Sequence, residues 1–246
     1  KTSPNSLNTV HKTNFSKNGS VGLLCASLVN QGKTTLHGIA SIEEVYRVIE
    51  ILESIGVNIK WIDQNSLIIT PPTKFNLKNI NVDSAVKSRS ILMIIGPLIH
   101  YLDSFNIPHA SGCNLGKRTI AAHTYALEAL GVKIKTTNDK YEISKKKLHK
   151  AEIVMYEAGD TACENILSAA ALIPGVTTIS YASSNYMVQE VCFFLEALGV
   201  KIDGIGTSTL TVHGLKEINQ DIEYSNSEDP IESMMFISAA IVTDSK

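Results

Sequence analysis

The chain is poor in the features that usually decide a protein's class at a glance. It has four cysteines in 246 residues (Cys25, Cys113, Cys163 and Cys192), far apart and with no Cys-x-x-Cys pair, so neither a thiol redox pair nor a zinc ribbon is expected. The same scatter argues against a disulfide framework and for a reduced, cytoplasmic setting. The seven histidines show no paired ligand spacing, and no metal or other cofactor is expected. A net charge of -2 leaves no general attraction to nucleic acid or acidic membranes, so any anion site must be local. The most apolar stretch, Ile91 to Leu98, contains Gly96 and Pro97 and is too short to span a bilayer. Residues Lys1 to Asn8 lack the apolar centre of a signal peptide. The chain does not begin with Met and stops straight after an apolar helical run, so both ends are expected to be cut.

What is present is an ordinary globular composition, 44% hydrophobic and 19% charged, with length for one large or two ordinary domains. It also carries a repeat. The phrase Leu52-Glu53-Ser54-Ile55-Gly56-Val57-Asn58-Ile59 returns as Leu127-Glu128-Ala129-Leu130-Gly131-Val132-Lys133-Ile134, and again, after a similar interval, as Leu195 to Ile202. Recurrence of this kind marks a repeated supersecondary unit. Before the first copy, Ile42, Val45, Ile49 and Leu52 share one helical face; before the third, Val188, Val191, Phe194 and Leu195 do. The glycine supplies the left-handed stop, and two strands follow. A second type of helix precedes each unit (Gly22 to Leu28, Ile91 to Tyr101, Asn165 to Ile173), apolar nearly all round and therefore interior. The unit is helix, strand, helix, strand, strand, used three times, which predicts an α/β domain with helices inside the sheets and a pseudo-threefold arrangement. A fourth interior helix is expected from Pro230. Short charged runs such as Lys145-Lys146-Lys147 read as solvated surface.

One stretch has chemical character. Ser111-Gly112-Cys113-Asn114-Leu115-Gly116-Lys117-Arg118 sets a cysteine in a glycine-bracketed turn, with two cations close behind that would favour a thiolate or hold an anion. It is not a phosphate-cradling P-loop, because three residues, not four, separate the first glycine from Gly-Lys and no Ser or Thr follows. A functional loop cysteine and a cysteine that merely sits in a turn both fit. Cys25, Cys163 and Cys192 fall in helical segments and read as small buried hydrophobes.

Taken together, Ser16-Lys17-Asn18, Lys87-Ser88-Arg89-Ser90 before Gly96-Pro97, Gly112-Cys113-x-x-Gly116-x-Arg118 with His123, Glu164-Asn165-Ile166 and Asp229-Pro230-Ile231-Glu232 resemble the UDP-N-acetylglucosamine 1-carboxyvinyltransferase (enolpyruvyl transferase) family over nearly the whole chain. The resemblance implies an inside-out α/β barrel of three repeated units. Residues 17–227 would form a complete second domain, and residues 1–16 and 228–246 pieces of a first, with Lys17 and Asp229 near the two crossings. It implies transfer of enolpyruvyl from phosphoenolpyruvate to the 3'-hydroxyl of UDP-N-acetylglucosamine in peptidoglycan synthesis, a fosfomycin-sensitive reaction. Both substrates are small molecules; no nucleic-acid or membrane partner and no particular oligomeric state follow.

The residue roles implied are Cys113 as the acid, Lys17, Asn18 and Arg118 on the phosphate, Arg89 on the sugar nucleotide, and Asp229 beside the cleft. The cysteine loop would close over the substrates. The chain departs from the family pattern in places. Ala121 stands for an acidic residue, Glu157 for a lysine near the nucleotide diphosphate, and Asn185 and Met187 for two acidic residues. The family's base and several further arginines would lie past Lys246, so the chain alone is expected to be inactive. Two other readings stand beside this one: a non-catalytic sugar-nucleotide-binding relative, and an enolpyruvylshikimate phosphate synthase-like transferase, which would not use a loop cysteine.

Overall fold

The computed structural model describes residues 10–109 and 119–244. The first unit comprises α1 (Lys17–Ala26), β1 (Thr34–His37), α2 (Glu43–Ser54), β2 (Asn58–Trp61) and β3 (Leu67–Thr70). A short α3 (Val82–Lys87) leads to the second unit: a 3-10 turn (Arg89–Ile94) running into α4 (Ile95–Leu98), then β4 (Ser104–Pro108), α5 (Ala121–Glu128), β5 (Val132–Thr136) and β6 (Lys140–Lys145). Strand β7 (Glu152–Val154) opens the third, followed by α6 (Asp160–Ala170), β8 (Gly175–Ser180), α7 (Tyr186–Ala197), β9 (Lys201–Asp203) and β10 (Thr209–Gly214). Strand β11 (Ile222–Ser225) and α8 (Pro230–Thr243) complete the described chain.

Each unit builds one sheet with the same internal order, β1-β3-β2, β4-β6-β5 and β8-β10-β9. The last strand of a unit lies between the other two and runs antiparallel to both. Two sheets gain a parallel edge strand. Beside β8 it is the neighbouring β7; beside β1 it is β11, from the far end of the chain. The alternation in β6, where Tyr141 and Ile143 turn inward, is the period-two pattern of a sheet with one buried face. The inward faces pack on α1, the Arg89–Leu98 run and α6, whose side chains are almost all buried in one continuous core.

The three repeated glycines stop their helices as expected, Gly56, Gly131 and Gly199 having φ of +103°, +95° and +88°. Any other residue there is strained, but the surroundings differ. A Cβ on Gly199 would meet nothing closer than Leu215 Cδ1 at 4.0 Å, whereas one on Gly131 would lie 2.7 Å from the Lys147 carbonyl oxygen. Gly199→Ala is therefore expected to cost about 1 kcal/mol and Gly131→Ala two to three times as much (~2–3 kcal/mol) in urea unfolding.

Two expectations need correction. The Ile91 to Tyr101 run is not one helix; it winds as a 3-10 turn and then a single α-turn, because Pro97 has no N–H and Gly96 sends its N–H elsewhere. Helix α8 is uncovered among the described residues: none of its residues is buried, and Met234, Met235 and Ile241 stand exposed. Among the described residues it meets chiefly the segment before α1, where His11 stacks on Phe236 and Asn14 bonds Glu232. Lys145 is not simply solvated: its ammonium donates to the Ile99 carbonyl at 2.6 Å, at the end of a helical run that attracts a cation.

Candidate functional site

The first turns of the helices converge on one face and are tied to one another in sequence. Ser16 caps α1, its Oγ accepting from the Gly19 amide at 3.0 Å. Lys17, next along, pairs its ammonium with the carboxylate of Glu44 in the first turn of α2. The other Glu44 oxygen accepts from Ser90 Oγ at 2.8 Å, at the start of the 3-10 turn. Arg89, beside it, donates to the Thr119 carbonyl at 2.6 Å, just before α5. In α5, His123 faces Thr161 and Asn165 of α6. Asp160 in the first turn of α6 accepts from Ser183 Oγ at 2.5 Å and from Asn185 at 3.2 Å, and Asn185 caps α7. The circuit closes through Ser227, which bonds Glu190 of α7, and Asn226, whose amide donates to the Ser16 carbonyl at 2.9 Å. Helix N-termini carry partial positive charge, so this face suits anionic ligands.

A cavity of about 480 Å³ opens at one side of the face, lined in part by Asn14, Lys17, Ser41, Asn65, Asp229 and Glu232. It lies where the chain passes twice. Phe15 and Glu228 form an antiparallel bridge, and the Ser16 and Asp229 amides donate across it at 2.9 Å each. Asp229 caps α8, accepting from the Ile231 amide at 2.9 Å. Lys17 and Asp229, expected near two crossings, thus share one cavity. Asn18 is half-buried on α1 and does not line it. Arg89 stands apart from the cavity, joined to it through Ser90 and Glu44. Cys113 and Arg118 lie outside the described residues.

The sequence motifs included His123 and Asn165 but gave them no connection. The structure supplies one. The Asn165 side-chain oxygen accepts from the Gly96 amide at 2.6 Å, which fixes the orientation of its carboxamide. Its nitrogen then donates to the Leu92 carbonyl at 2.9 Å and to His123 Nδ1 at 3.1 Å. Gly96 N–H to Leu92 C=O is the bond an unbroken α-helix would make, and the carboxamide stands in for it. Burial, and then the nearby Arg89 charge, push the His123 pKa down to about 4, so its ring is neutral. The only prior hint was a glycine-proline pair inside an apolar run.

The profile of the EPSP synthase (3-phosphoshikimate 1-carboxyvinyltransferase) family matches residues 16–246. The chain belongs to this family. It is 32% identical over 229 residues to the UDP-N-acetylglucosamine 1-carboxyvinyltransferase of Bradyrhizobium diazoefficiens, covering 93% of this chain and 52% of that one. To the enzyme of that name from Ruthia magnifica it is 33% identical over 236 residues, 96% of this chain and 56% of the other. The chain therefore spans about half the length of the curated relatives it matches. Among solved structures, the enolpyruvyl transferase NikO from Streptomyces tendae superposes with a TM-score of 0.79 at 16% identity, covering 96% of this chain and 56% of that one. An EPSP synthase from Acinetobacter baumannii gives 0.72 at 16%, covering 96% and 53%. These likenesses establish an α/β enolpyruvyl transferase fold in an enzyme lineage.

Ala121, Glu157, Asn185 and Met187, read from the sequence as departures, lie at or near the starts of α5, α6 and α7. Glu157 folds over Gly159, with Oε1 3.3 Å from where a Gly159 Cβ would be, so a carboxylate already lies beside the α6 N-terminus. Met187 is buried. The three described cysteines are buried as expected; burial raises Cys163 to about 11 and Cys192 to about 12, and leaves Cys25 higher still. Among the described residues, no group of His, Cys, Asp and Glu could hold a metal, and no helix is long and apolar enough to cross a membrane.

Glu164 is the most deeply buried carboxyl among the described residues. It is 3% exposed, and its Oε1 has no hydrogen-bond partner among the described residues. Burial, reinforced by Asp160, holds its pKa well above the usual carboxylate range and so favours the neutral acid. The folded pKa exceeds the unfolded one; stability is fully present below the unfolded value and is lost as pH rises toward the folded value, at about 1.4 kcal/mol per pH unit. Glu164→Gln should remove this slope. Urea unfolding should show variant and wild type alike near pH 4 and the variant more stable at pH 8; equal stabilities at pH 8 would mean a solvated, ionised Glu164.

Proposed function

We propose that the complete protein transfers the enolpyruvyl group of phosphoenolpyruvate to the 3'-hydroxyl of UDP-N-acetylglucosamine, in the cytoplasm, for peptidoglycan synthesis. The observation that carries this reading is the match to relatives of that name, 32% and 33% identical over more than nine-tenths of the chain. In the addition step, the Cys113 thiol gives its proton to the methylene carbon of phosphoenolpyruvate. The adjacent carbon becomes electrophilic, and the sugar hydroxyl adds there while losing its proton to a base. In the elimination step, a methyl proton and the phosphate leave and the double bond returns.

Lys17 and Arg118 are assigned to the phosphate, Asn18 as a further donor, Arg89 to the sugar nucleotide, and Asp229 to the cleft. The pairing of Lys17 with Glu44 does not oppose this. Both side chains are about a third or more exposed, and such pairs contribute roughly 0–1 kcal/mol, so exchanging Glu44 for a phosphate costs little. The family name raises a second acceptor, shikimate 3-phosphate, against which the loop cysteine argues.

The same reading extends to architecture. Residues 17–227 form the second domain, a pseudo-threefold, inside-out barrel, and residues 1–16 and 228–246 belong to the first. The shared strand order of the three sheets and the paired segments at Phe15 and Glu228 support this. Phosphate release by the complete protein tests the function. Release with phosphoenolpyruvate and UDP-N-acetylglucosamine is expected; release only with shikimate 3-phosphate would transfer the assignment to the second acceptor, and release with neither would leave a non-catalytic relative.

A further inference from the structure

We infer that Asn165 is a positioning residue that sets Arg89 in place for the acceptor, acting through His123; this rests on the sugar-nucleotide role given to Arg89 above. Arg89 is held from two sides. Its own backbone begins the 3-10 turn that ends at the broken Leu92–Gly96 step, and its guanidinium reaches the Thr119 carbonyl at 2.6 Å. Thr119 in turn starts α5, its Oγ1 accepting from the Ala121 amide at 3.1 Å. One carboxamide governs both sides. Asn165 closes the Leu92–Gly96 step with two hydrogen bonds and grips α5 through His123 Nδ1.

The bonds have only one consistent pattern. The Gly96 amide can only donate, so it takes the Asn165 oxygen. The Asn165 nitrogen can only donate, so His123 Nδ1 accepts. A neutral ring then carries its proton on Nε2, which faces Thr161 Oγ1 at 3.3 Å. Asn165 is 1% and His123 4% exposed, so water does not compete for these partners. The start of α5 is thereby fixed against the turn bearing Arg89. Any loosening of Asn165 changes the separation between the Arg89 backbone and the carbonyl that orients its guanidinium.

The test has a part that needs no substrate. In the complete wild-type protein, the His123 ring nitrogen signals should report a single tautomer with the proton on Nε2, and Asn165→Ala should give a mixture. A tautomer mixture already present in wild type overturns the proposal whatever the turnover. The second part is kinetic. Asn165→Ala should raise KM for UDP-N-acetylglucosamine about tenfold while leaving kcat and the KM for phosphoenolpyruvate within about twofold. Added to Arg89→Lys it should bring no further rise, because both changes act through one guanidinium. His123→Phe keeps the ring volume without the nitrogens and should repeat the effect if Asn165→Ala fails to fold. Additive effects on KM, or equal rises for both substrates, would reduce Asn165 to a structural role. Absence of turnover with UDP-N-acetylglucosamine, alongside a fixed tautomer, would overturn the acceptor assignment and with it this role for Arg89.

Discussion

Cys113→Ala in the complete protein is expected to lower kcat by about two to four orders of magnitude, the usual worth of a positioned general acid, while leaving the fold unchanged. The expectation rests on the absence of a substitute among the described residues. Cys25, Cys163 and Cys192 are sealed in α1, α6 and α7, where burial keeps them as inert thiols. His123 is neutral at working pH, with Asn165 on one ring nitrogen and Thr161 on the other. Glu164 lies in the core, sealed from a ligand on the helix-start face. Lys17 is paired with Glu44 and is placed to balance a phosphate. The described residues on either side of Cys113 are anchored, the His109 amide bonding the Asp139 carbonyl at 3.1 Å and the Thr119 carbonyl receiving Arg89. Steady-state kinetics gives the main readout, and the epoxide fosfomycin a second: its mass should add to wild type and not to the variant. A variant that keeps more than a tenth of wild-type turnover would remove the acid role from Cys113.

The repeat was legible because its signals are local. A glycine forced into positive φ after an amphipathic helix leaves the same mark at Gly56, Gly131 and Gly199, and the strands that follow alternate with period two. The central helices were legible because segments buried all round are mostly apolar all round. What stayed hidden depends on partners remote in sequence. Strand β11 is short and half polar, and nothing in Ile222–Ser225 announces a place beside β1, which lies in the first of the three units. Helix α8 is apolar by composition, and composition does not say what lies against it. The candidate site divides in the same way. Lys17, Arg89 and Asp229 could be named from motifs, but their links through Glu44, Ser90 and Thr119 join residues from different units, which no spacing rule connects. Asn165 is the extreme case, since its use is defined by a helical bond missing from a distant turn of the chain.

That missing bond makes Gly96 the position where one methyl group should do the most damage. On local propensity alone Gly96→Ala would help, since alanine favours a helix over glycine by about 1 kcal/mol. The contacts reverse the sign. A Cβ at Gly96 would lie 2.1 Å from the Asn165 main-chain oxygen and 2.7 Å from its side-chain oxygen. Neither atom can swing aside: the first is the backbone of α6, and the second already accepts the Gly96 amide. The run through Ile91 to Leu98 and α6 must therefore move apart in a core where the first is buried throughout and the second from Ala162 to Ala170. Overpacking of this kind costs roughly 1–3 kcal/mol or more. Losing the Gly96–Asn165 bond in a buried site adds about 1–3 kcal/mol. A net loss of about 2–5 kcal/mol is a large part of the 5–15 kcal/mol that typically holds a domain together, and it should lower Tm by about 5–20 °C in a chain of this size. Gly159→Ala is the control, because its nearest neighbour is the flexible end of Glu157 at 3.3 Å. It should shift Tm by no more than a few degrees. A Gly96→Ala protein that melts with wild type would show that α6 slides freely against the Gly96 turn, and the Asn165 splint would then not be what holds Leu92 and Gly96 in register.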